Sequence, residues 1–379
     1  MRLRSALFAG LLAAAACGQG VAEPGAKADA EAGAASGSIA AAASQTPPPS
    51  VTRSFRDWQA TCDNGNACFA FGFAPDYGAG WLRISMRPGA DAEPEIAFGL
   101  WGEEASDAAP VLRIDGRAFA AARAEASDRG APVAEIRSDV RAVIAAIAGA
   151  RSLEIVAGDT LTIAADGASA ALLWIDERQG RLGTTSALIR RGGRPPSAVP
   201  APPLLPELRA GSVQDQSGFG DDKQILPDSL RALPEVQACL AESAHSDWLM
   251  QNVMSARLSA RTELWAVPCG AGAYNILHHW YLTGPGGRDP RPAELPDSQG
   301  RSGTGEGDDA WPVNATINGG YAPETRTLTA FAKGRGLGDC GTTQTWLWTG
   351  EKFDLQAERS MGHCAGTPWD YWPTTWRTR

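Results

Sequence analysis

Short apolar runs separated by turn-forming residues dominate the first half of this chain. Three such runs, at 68–74, 81–86 and 95–100, are bounded by glycine, proline, aspartate or asparagine, a pattern typical of short β-strands. Residues 153–165 contain two further runs on either side of Gly158-Asp159, a dipeptide suited to a tight hairpin turn. The first half is therefore predicted to be rich in antiparallel sheet.

Two segments of the first half have helical periodicity instead. Residues 138–149 begin with Ser138, which can cap a helix, and end at Gly149, which can terminate one. The apolar residues that share one face of this helix are Val140, Val143, Ile144 and Ile147. Residues 168–181 are predicted to form a second helix, and residues 184–192 a closing strand. The first half is thus predicted to be a β-rich α+β fold.

The second half begins with a helical segment and continues as a strand meander. Residues 234–253 are predicted to be helical, and strands are predicted at 262–269 and 274–284. Residues 284–312 are predicted to be a long loop, because glycine, proline and aspartate recur throughout. Three further strands complete the meander, at 325–334, 344–350 and 352–360.

A proline-rich segment separates the two halves. Residues 194–207 contain six prolines and no periodic apolar face, which is the composition of a stiff linker. We therefore predict a β-rich α+β domain over 55–193, a linker over 194–209 and a tryptophan-rich β-meander domain over 210–379. Both domains are expected to consist mainly of antiparallel sheet with a few helices.

The chain begins with the features of a secretory signal peptide at 1–16. Arg2 and Arg4 precede an apolar run of 12 residues at 5–16, which is too short to span a bilayer. The Ala-Ala-Ala-Cys tetrapeptide that ends at Cys17 resembles a bacterial lipobox, and lipid on Cys17 would anchor the protein in a membrane. The alternative is ordinary cleavage at a small-residue site, which would yield a soluble periplasmic or secreted protein.

The residues around Cys17 favour the anchored interpretation. Residues 17–54 consist mainly of alanine, glycine, serine and proline, so they are predicted to be a disordered tether rather than part of a core. Gly18, rather than aspartate, follows Cys17, which by resemblance to lipoprotein sorting favours the outer membrane. We therefore expect a periplasmic, membrane-anchored lipoprotein.

Charge and cysteine content narrow the classes of partner and fold. The net charge is −9 at pH 7, and no basic cluster could neutralise a run of phosphates, so nucleic acid is not an expected partner. Apart from Cys17, six cysteines remain in an exported chain, which indicates disulfides, although 15 pairings are open. We expect three local pairs, each stabilising the fold by about 2–4 kcal/mol: Cys62–Cys68, Cys239–Cys269 and Cys340–Cys364.

A glycine-rich loop at 334–341 is the first candidate for chemistry. Its glycines do not match a dinucleotide fingerprint, and a strand-like sequence follows where a phosphate-binding helix would have to begin. Cys340 would need a thiolate and a nearby base to act as a nucleophile, whereas a partner cysteine 24 residues later in an exported chain favours a disulfide. Arg335 and Asp339 are candidate ligand-binding residues that either pair across the loop or face solvent. No cofactor is expected.

Histidines and acidic residues provide further candidates. His278 and His279 are adjacent in a predicted strand, so their side chains point to opposite faces and cannot readily bind one metal ion. The acidic, glycine-rich residues 303–309 lack the spacing of a calcium loop. Asp176 and Glu177 are adjacent on a predicted helix and are interpreted as surface charge. No metal site is therefore predicted, and His278 is kept as a candidate ligand-binding residue.

Tryptophan is unusually abundant, particularly near the C-terminus. The chain has 13 tryptophans, and Trp369, Trp372 and Trp376 cluster close to its end. If they clasp the end of the chain onto the sheet, each can bury about 150–250 Å². If they are exposed, Trp369 and Trp372 become the best candidate ligand surface, because tryptophan is enriched in binding hot spots.

Four stretches together resemble an exported bacterial family catalogued as domain of unknown function 1176. They are FRDWQATCDNGNACFAFGF at 55–73, ALLWIDERQGRLG at 171–183, ELWAVPCGAGAYN at 263–275 and GRGLGDCGTTQTWLWTGEKFDL at 334–355. The resemblance covers about residues 55–379 and implies export but no established activity, so no catalytic residue is carried over. The spacing of Trp58 and Cys62 is also similar to that of invasion-associated locus B proteins, a likeness of fold and compartment rather than of mechanism.

These observations favour a non-enzymatic envelope module that binds a protein or a glycan, because the sequence carries no triad, metal or nucleotide signature. The alternative is a hydrolase or transferase that acts on envelope polymers. The residues that such an enzyme would use are His278, His279, His363, Arg335 and Asp339. A redox protein that uses Cys340 is a third hypothesis, and it would require a free thiol there.

Overall fold

The computed structural model describes residues 48–76, 78–101, 109–124, 132–212, 225–301 and 312–379. Within these ranges the chain forms 21 strands, arranged in four sheets, and five α-helices. The prediction of a β-rich α+β fold is therefore confirmed. The predicted signal peptide, Cys17, nearly all of the predicted tether and the acidic stretch at 303–309 lie outside the described residues.

The largest sheet is antiparallel, and its central strands are buried on both faces. Its strands are β1 Val51–Phe55, β2 Trp58–Cys62, β3 Cys68–Phe73, β4 Gly80–Met86, β5 Pro94–Leu100, β8 Ala122–Ala124 and β9 Val133–Ile136, in the order β1-β2-β3-β4-β5-β9-β8. Ala70 and Leu82 point into one core, whereas Phe71 and Trp81 point into another on the opposite face. Burial on both faces explains why β3 and β4 have nearly continuous apolar sequences.

A smaller sheet and two helices cover one face of the largest sheet. This second sheet contains β6 Val111–Ile114, β7 Arg117–Phe119, β10 Leu153–Ala157 and β11 Asp159–Ile163, in the order β11-β10-β6-β7. The helices are α1 Val140–Ala148 and α2 Ala168–Arg178. Val143, Ile144 and Ile147 of α1 are buried in this core, as the helical periodicity predicts.

The second half contains two five-stranded sheets packed around a tryptophan-rich core. The third sheet consists of β12 Met254–Ser259, β13 Thr262–Ala271, β14 Ile276–Gly284, β15 Arg288–Pro292 and β16 Ala315–Ile317. The fourth consists of β17 Gly320–Ala322, β18 Thr327–Lys333, β19 Gly341–Trp348, β20 Phe353–Met361 and β21 Thr374–Arg377. Trp280 of the third sheet and Trp346 and Trp348 of the fourth are buried in their common core.

Short helices cover the outer face of the third sheet. They are α3 Asp228–Arg231, α4 Pro234–Ser243 and α5 Asp247–Met250. Val236 and Cys239 of α4 pack with Trp265, Val267 and Tyr281 of the sheet. No helix in the described part of the chain is both long and apolar enough to cross a membrane.

The two halves share a hydrophobic cluster, which we call the junction cluster. Its buried members from the first half are Phe71, Phe73, Trp81, Ala97 and Val133, and those from the second half are Cys340, Met361, Ala365, Tyr371 and Trp372. The proline-rich segment between the halves is irregular apart from a short 3₁₀ helix at Pro196–Ala198. The domain boundaries stay a prediction, but the halves pack directly against each other.

The three predicted disulfides are present. Their Sγ–Sγ distances are 2.01, 1.95 and 1.94 Å, for Cys62–Cys68, Cys239–Cys269 and Cys340–Cys364 respectively. Cys62 and Cys68 lie directly opposite each other on β2 and β3. Each bridge therefore staples a local unit of the fold, as the sequence spacing indicated.

The predicted closing strand at 184–192 is wrong. This segment turns instead, and the carboxylate of Asp176 accepts the backbone N–H groups of Leu188, Ile189 and Arg190 at 2.7, 2.8 and 3.3 Å. A side chain thus satisfies backbone donors that a neighbouring strand would otherwise bond. Because Asp176 accepts these N–H groups, the segment does not need hydrogen bonds from a neighbouring strand. The same bonds hold the Asp176 side chain in the interior.

The interpretation of Asp176 as surface charge is also wrong, since its side chain is fully buried. Arg181 is buried as well. Its Nη2 donates to the carbonyl oxygens of Arg87 and Gly89 at 2.9 and 2.7 Å, and its Nε donates to Gln179 Oε1 at 2.7 Å. The end of α2 is therefore joined by hydrogen bonds to the connection after β4.

Two smaller predictions are corrected as well. The N-cap of α1 is Asp139 rather than Ser138, with φ 52° and no side-chain capping hydrogen bond. The predicted loop at 284–312 contains β15, in spite of prolines at both 290 and 292. Proline is tolerated there because β15 lies at the edge of its sheet, where one side of the strand needs no ladder donors.

Candidate functional site

The glycine-rich loop is a stapled turn. Cys340 is bonded to Cys364, and Arg335 donates to both carboxylate oxygens of Asp339, at 2.7 and 2.5 Å. Asp339 also accepts the backbone N–H of Gly366 at 2.6 Å. Burial opposes ionisation of Asp339, but the bonds from Arg335 and Gly366 together outweigh it and hold the pKa of the carboxyl below its usual value. The loop is therefore tied to the segment that follows β20.

Glycine is required in this loop by the backbone. Gly338 and Gly341 have φ angles of 70° and 132°, a region that residues with side chains rarely adopt. A Cβ atom on Gly341 would also collide with the carbonyl oxygen of Ala332 on β18. The glycines thus allow a tight β18–β19 connection beside a disulfide.

A groove runs along the junction between the largest sheet and the fourth sheet. It consists of two cavities of about 590 and 700 Å³ that share Gln59 and Gly362 as lining residues, and we call it the junction groove. The first cavity lies between β1-β2 and β19-β20-β21, and the second lies beside Trp58 and Phe73. Both volumes are within the range of small-molecule sites.

Hydroxyl and amide side chains form most of the polar lining of the first cavity. On one wall, Thr52 and Thr61 are opposite each other, with their Oγ1 atoms 2.9 Å apart. On the other wall, Thr342 and Ser360 are a cross-strand pair whose hydroxyl oxygens are 3.3 Å apart. The groove therefore carries one pair of hydroxyl groups on each side.

The buried acid of this cavity, Glu358, is already bonded by protein donors. Gln344 Nε2 and the backbone N–H of Ser298 donate to its Oε2 at 2.8 and 3.2 Å, and the Thr375 hydroxyl donates to Oε1 at 2.7 Å. Three hydrogen bonds thus offset the cost of burying the Glu358 carboxylate. Glu358 consequently serves as a buried anchor for the polar groups around it.

The second cavity ends at a histidine ring. His363 is stacked on Phe73 with ring centroids 4.4 Å apart and an interplanar angle of 22°. Arg335, from the glycine-rich loop, lines the same cavity. The ring is exposed on one side, and partial desolvation lowers the pKa of His363, which favours the neutral form at pH 7. This end of the groove combines a flat neutral ring with a paired guanidinium group.

The two adjacent histidines point to opposite faces of β14, as the strand alternation predicted. His279 faces α4, whereas His278 lies beside Trp280, with ring centroids 6.2 Å apart. Neither of them lines the junction groove. The residues of the hydrolase hypothesis are therefore only partly brought together, with Arg335 and His363 at one cavity and His278 and His279 elsewhere.

The C-terminal tryptophans have different environments. Trp372 is 1% exposed and its Nε1 donates to the carbonyl oxygen of Thr367 at 2.9 Å, so its indole packs inside the junction cluster. Trp369 is 42% exposed, with the guanidinium of Arg359 5.7 Å from its ring centroid. The Trp376 indole donates to the Leu355 carbonyl at 3.0 Å. The clasp arrangement thus holds for Trp372 and Trp376, and Trp369 keeps an accessible face.

A larger cavity of about 1180 Å³ lies beside α1 and is lined by both acidic and basic groups. Arg141 is already paired with Glu93 at 2.9 Å. The Nε atom of Arg83 is buried without a partner among the described residues, while its Nη1 donates to the Tyr371 carbonyl at 3.1 Å. Arg141 and Glu93 already neutralise each other at this cavity, whereas the junction groove presents paired hydroxyl groups on both walls, so we take the junction groove as the candidate site.

Comparison with known proteins agrees with the resemblance found in the sequence. A family model described as protein of unknown function (DUF1176) matches residues 52–379. The chain belongs to this family. The uncharacterized protein YpfG of Escherichia coli (strain K12) is 30% identical over 341 residues, which are 86% of this chain and 93% of the relative.

One solved structure is similar to part of this DUF1176 chain. The crystal structure of invasion associated protein B from Bartonella henselae covers 34% of this chain and 99% of its own, with 14% identity and a TM-score of 0.28. The likeness expected from the sequence is thus found, but it is too weak to carry an argument about function.

In this DUF1176 chain, none of the candidates named from the sequence lines the first cavity of the junction groove, whereas Arg335 and His363 line the second. The sequence does contain a signal for this polar lining. Polar side chains occupy alternate positions on two strands, at Thr342 and Gln344 of β19 and at Glu358 and Ser360 of β20. Alternation identifies a polar face. It does not show that a second polar face, on β1 and β2, lies opposite.

Proposed function

We propose that this protein binds a neutral glycan of the cell envelope in the junction groove, without catalysing a reaction on it. The observation that carries the proposal is the pairing of hydroxyl groups on both walls of one cavity, Thr52 with Thr61 and Thr342 with Ser360. Hydroxyl groups donate and accept hydrogen bonds. Sugar hydroxyls do the same, so the two surfaces are chemically matched.

The charges of the first cavity favour a neutral ligand. Arg301 is paired with Asp297 at 3.0 Å, and Glu358 is compensated by protein donors. An anionic ligand would find no uncommitted cation in the described lining of this cavity. A cationic ligand would have to compete with Arg301 and with the donors to Glu358. Uncharged hydroxyl and amide groups are what the lining offers.

The scaffold supports binding because the polar groups lie on paired strands. Thr52 and Thr61 are on β1 and β2, and Thr342 and Ser360 are on β19 and β20. Groups on rigid elements lose little conformational entropy when a ligand binds. The exposed ring of His363, held against Phe73, extends this surface with a flat face.

The test is a calorimetric titration of the purified mature protein with soluble envelope oligosaccharides. Binding of a neutral oligosaccharide is expected, and the double variant Gln59→Ala with Thr342→Ala should bind it about 10-fold more weakly. Two lost hydrogen bonds of about 0.5–1.5 kcal/mol each account for that factor. Both residues line the first cavity.

Thr160→Ala is the matched control, since Thr160 is an exposed threonine on β11, in a different sheet. It should bind the oligosaccharide as tightly as the unmodified protein. Absence of binding to every neutral glycan would contradict the proposal. Equal affinities of the groove variant and the control would also contradict it.

We further propose that lipid on Cys17 holds the protein at the outer membrane, with its folded part in the periplasm. The lipobox-like Ala-Ala-Ala-Cys and the following alanine- and glycine-rich segment support this location. Cys17→Ser should move the protein from the membrane fraction to the soluble periplasmic fraction, because acyl chains contribute about 0.8 kcal/mol of binding per buried methylene. Fractionation followed by immunoblotting measures the shift.

Gly18→Asp is the companion variant. It retains the cysteine, so the protein should stay membrane-bound but move to the inner membrane. If the Cys17→Ser protein stays in the membrane fraction, the lipid anchor is refuted, whatever the ligand of the junction groove is.

A further inference from the structure

The Cys239–Cys269 disulfide has a histidine beside it. Cys239 lies on α4, Cys269 on β13 and His279 on β14. The Nδ1 atom of His279 is 3.3 Å from the Sγ of Cys239, and the three ligand atoms all lie within 4.8 Å of one another. Within the described ranges, no other trio of histidine, cysteine or carboxylate ligand atoms forms such a group.

Strand register explains this arrangement. His279 is directly opposite Val267. Cys269 lies two residues further along β13, within the irregularity that follows Pro268, and its side chain packs with Val267 in the cluster beneath α4. Diagonal neighbours of this kind approach within reach of long side chains. Helix α4 covers the same face and places Cys239 over the pair.

We propose that reduction of this disulfide creates a metal site, in which the thiolates of Cys239 and Cys269 and the imidazole of His279 bind a zinc ion. A dithiol reductant supplies two electrons and two protons, so the S–S bond breaks, two thiols form and the reductant becomes a disulfide. Binding of Zn²⁺ then releases the two thiol protons, and the site is electrically neutral.

The geometry fits zinc. Zn–S bonds of about 2.3 Å and Zn–N bonds of about 2.0–2.1 Å place the ligand atoms of a tetrahedral site roughly 3.5–3.8 Å apart. The 3.3 Å separation of His279 Nδ1 and Cys239 Sγ is already close to that spacing. The two Sγ atoms, bonded at 1.95 Å in the disulfide, move apart by about 1.8 Å after reduction to reach it. With three protein ligands, the fourth position is open to water.

The state of His279 also fits. The ring is 8% exposed, and its Nε2 has no hydrogen-bond partner among the described residues. Its Nδ1 faces the Sγ of Cys239, and an imidazole nitrogen is the commonest protein ligand of metals. Cys269 is half-buried, which gives a reductant a route to the bridge.

The test begins with the full-length mature protein, fully reduced and freed of reductant without air. Titration with Co²⁺ alone reports thiolate and imidazole ligands through the absorption spectrum, and Zn²⁺ should displace the Co²⁺. The paired variant Cys239→Ser with Cys269→Ser should lose this spectrum. The matched pair Cys340→Ser with Cys364→Ser should keep it.

Histidine variants make the test specific. His279→Gln should weaken Co²⁺ binding by more than about 10-fold, because loss of an outer-shell partner alone costs that much. His363→Gln removes the histidine next to Cys364, in a different bridge, and should leave the affinity unchanged. Equal binding by both serine pairs, or by both histidine variants, would show that any freed thiol binds the ion and would overturn the proposal.

A second measurement does not depend on the variants being folded. Alkylation of the reduced protein, read for each cysteine by peptide mass, should show Zn²⁺ protecting Cys239 and Cys269 at least about 10-fold more than the four cysteines of the other two bridges. Uniform protection, or none, would also overturn the proposal. Neither result bears on glycan binding, because the bridge does not line the junction groove.

Discussion

Replacement of Trp372 by alanine is expected to lower the free energy of unfolding by about 3–5 kcal/mol. The indole is 1% exposed and belongs to the junction cluster together with Phe71 and Trp81 of the largest sheet. The ring of Phe331, from the fourth sheet, packs edge-on against it at 5.7 Å. Truncation leaves a cavity where the two halves meet, so both halves lose packing at once.

Urea denaturation followed by circular dichroism measures this loss. Trp248→Ala is the control, since Trp248 is 58% exposed and exposed substitutions usually change stability by less than about 0.5 kcal/mol. A loss in the Trp372 variant no greater than that in the Trp248 variant would show that the halves do not depend on the junction cluster. The prediction that the C-terminal tryptophans clasp the end of the chain onto the sheet would then be wrong for Trp372.

Acidification is expected to destabilise the protein through His278. The side chain is 2% exposed, and neither ring nitrogen makes a hydrogen bond of regular geometry among the described residues, although the backbone of Asn252 lies close to the ring. Burial lowers its pKa to about 4, a shift that the backbone of Asn252 opposes. The unfolded chain, with a histidine pKa of about 6.5, therefore binds a proton more readily than the folded chain.

The stabilisation is complete above about pH 6.5 and is lost as the pH falls toward 4. A shift of this size corresponds to about 3 kcal/mol, at roughly 1.4 kcal/mol per pKa unit. The measurement is the free energy of unfolding in urea at pH 7, 5.5 and 4. His278→Leu removes the titrating group, so its stability relative to the unmodified protein should rise by about 3 kcal/mol across that interval.

Trp248→Ala is again the control, because the exposed Trp248 indole does not titrate, so the variant should leave the pH dependence unchanged. Each comparison is made between two proteins at the same pH, so the contributions of the other titrating groups to the free energy of unfolding cancel. Parallel pH profiles for the unmodified protein and the His278 variant would refute the assignment.

The sequence predicted the element types well where one local rule decides them. Residues 68–74, 81–86 and 95–100 form β3, β4 and β5, and the helical spacing over 138–149 corresponds to α1. Strand alternation also placed His278 and His279 on opposite faces. In each case, burial of an apolar face and local propensity favour the same structure.

The secondary-structure prediction failed where hydrogen bonds to a side chain from another element, rather than local propensity, determine the backbone conformation. Residues 184–192 have strand-like composition, but the carboxylate of Asp176 binds three backbone N–H groups there. The sequence indicates surface charge for Asp176, because it is adjacent to Glu177 on a predicted helix and close to Arg178 and Arg181. Its partners are backbone groups of a later turn, which residue type does not reveal.

The candidate site was predicted in part. The Arg335–Asp339 pair and the Cys340–Cys364 bridge are local in sequence and are formed. The polar lining of the junction groove is not local, since Thr52 and Thr342 come from opposite ends of the described chain. A single sequence shows that each strand has a polar face, but it does not show that two such faces enclose a cavity.

By itself, the sequence determined the β-rich class, the local disulfide pairs and the resemblance to DUF1176, because each depends on spacing along the chain. Only the tertiary structure decided which faces meet. It buried Trp372 between the two halves, left Trp369 accessible, and placed His279 beside Cys239 rather than beside another histidine. These outcomes depend on how sheets pack, and packing is governed by the shape and polarity of surfaces that come from distant parts of the chain.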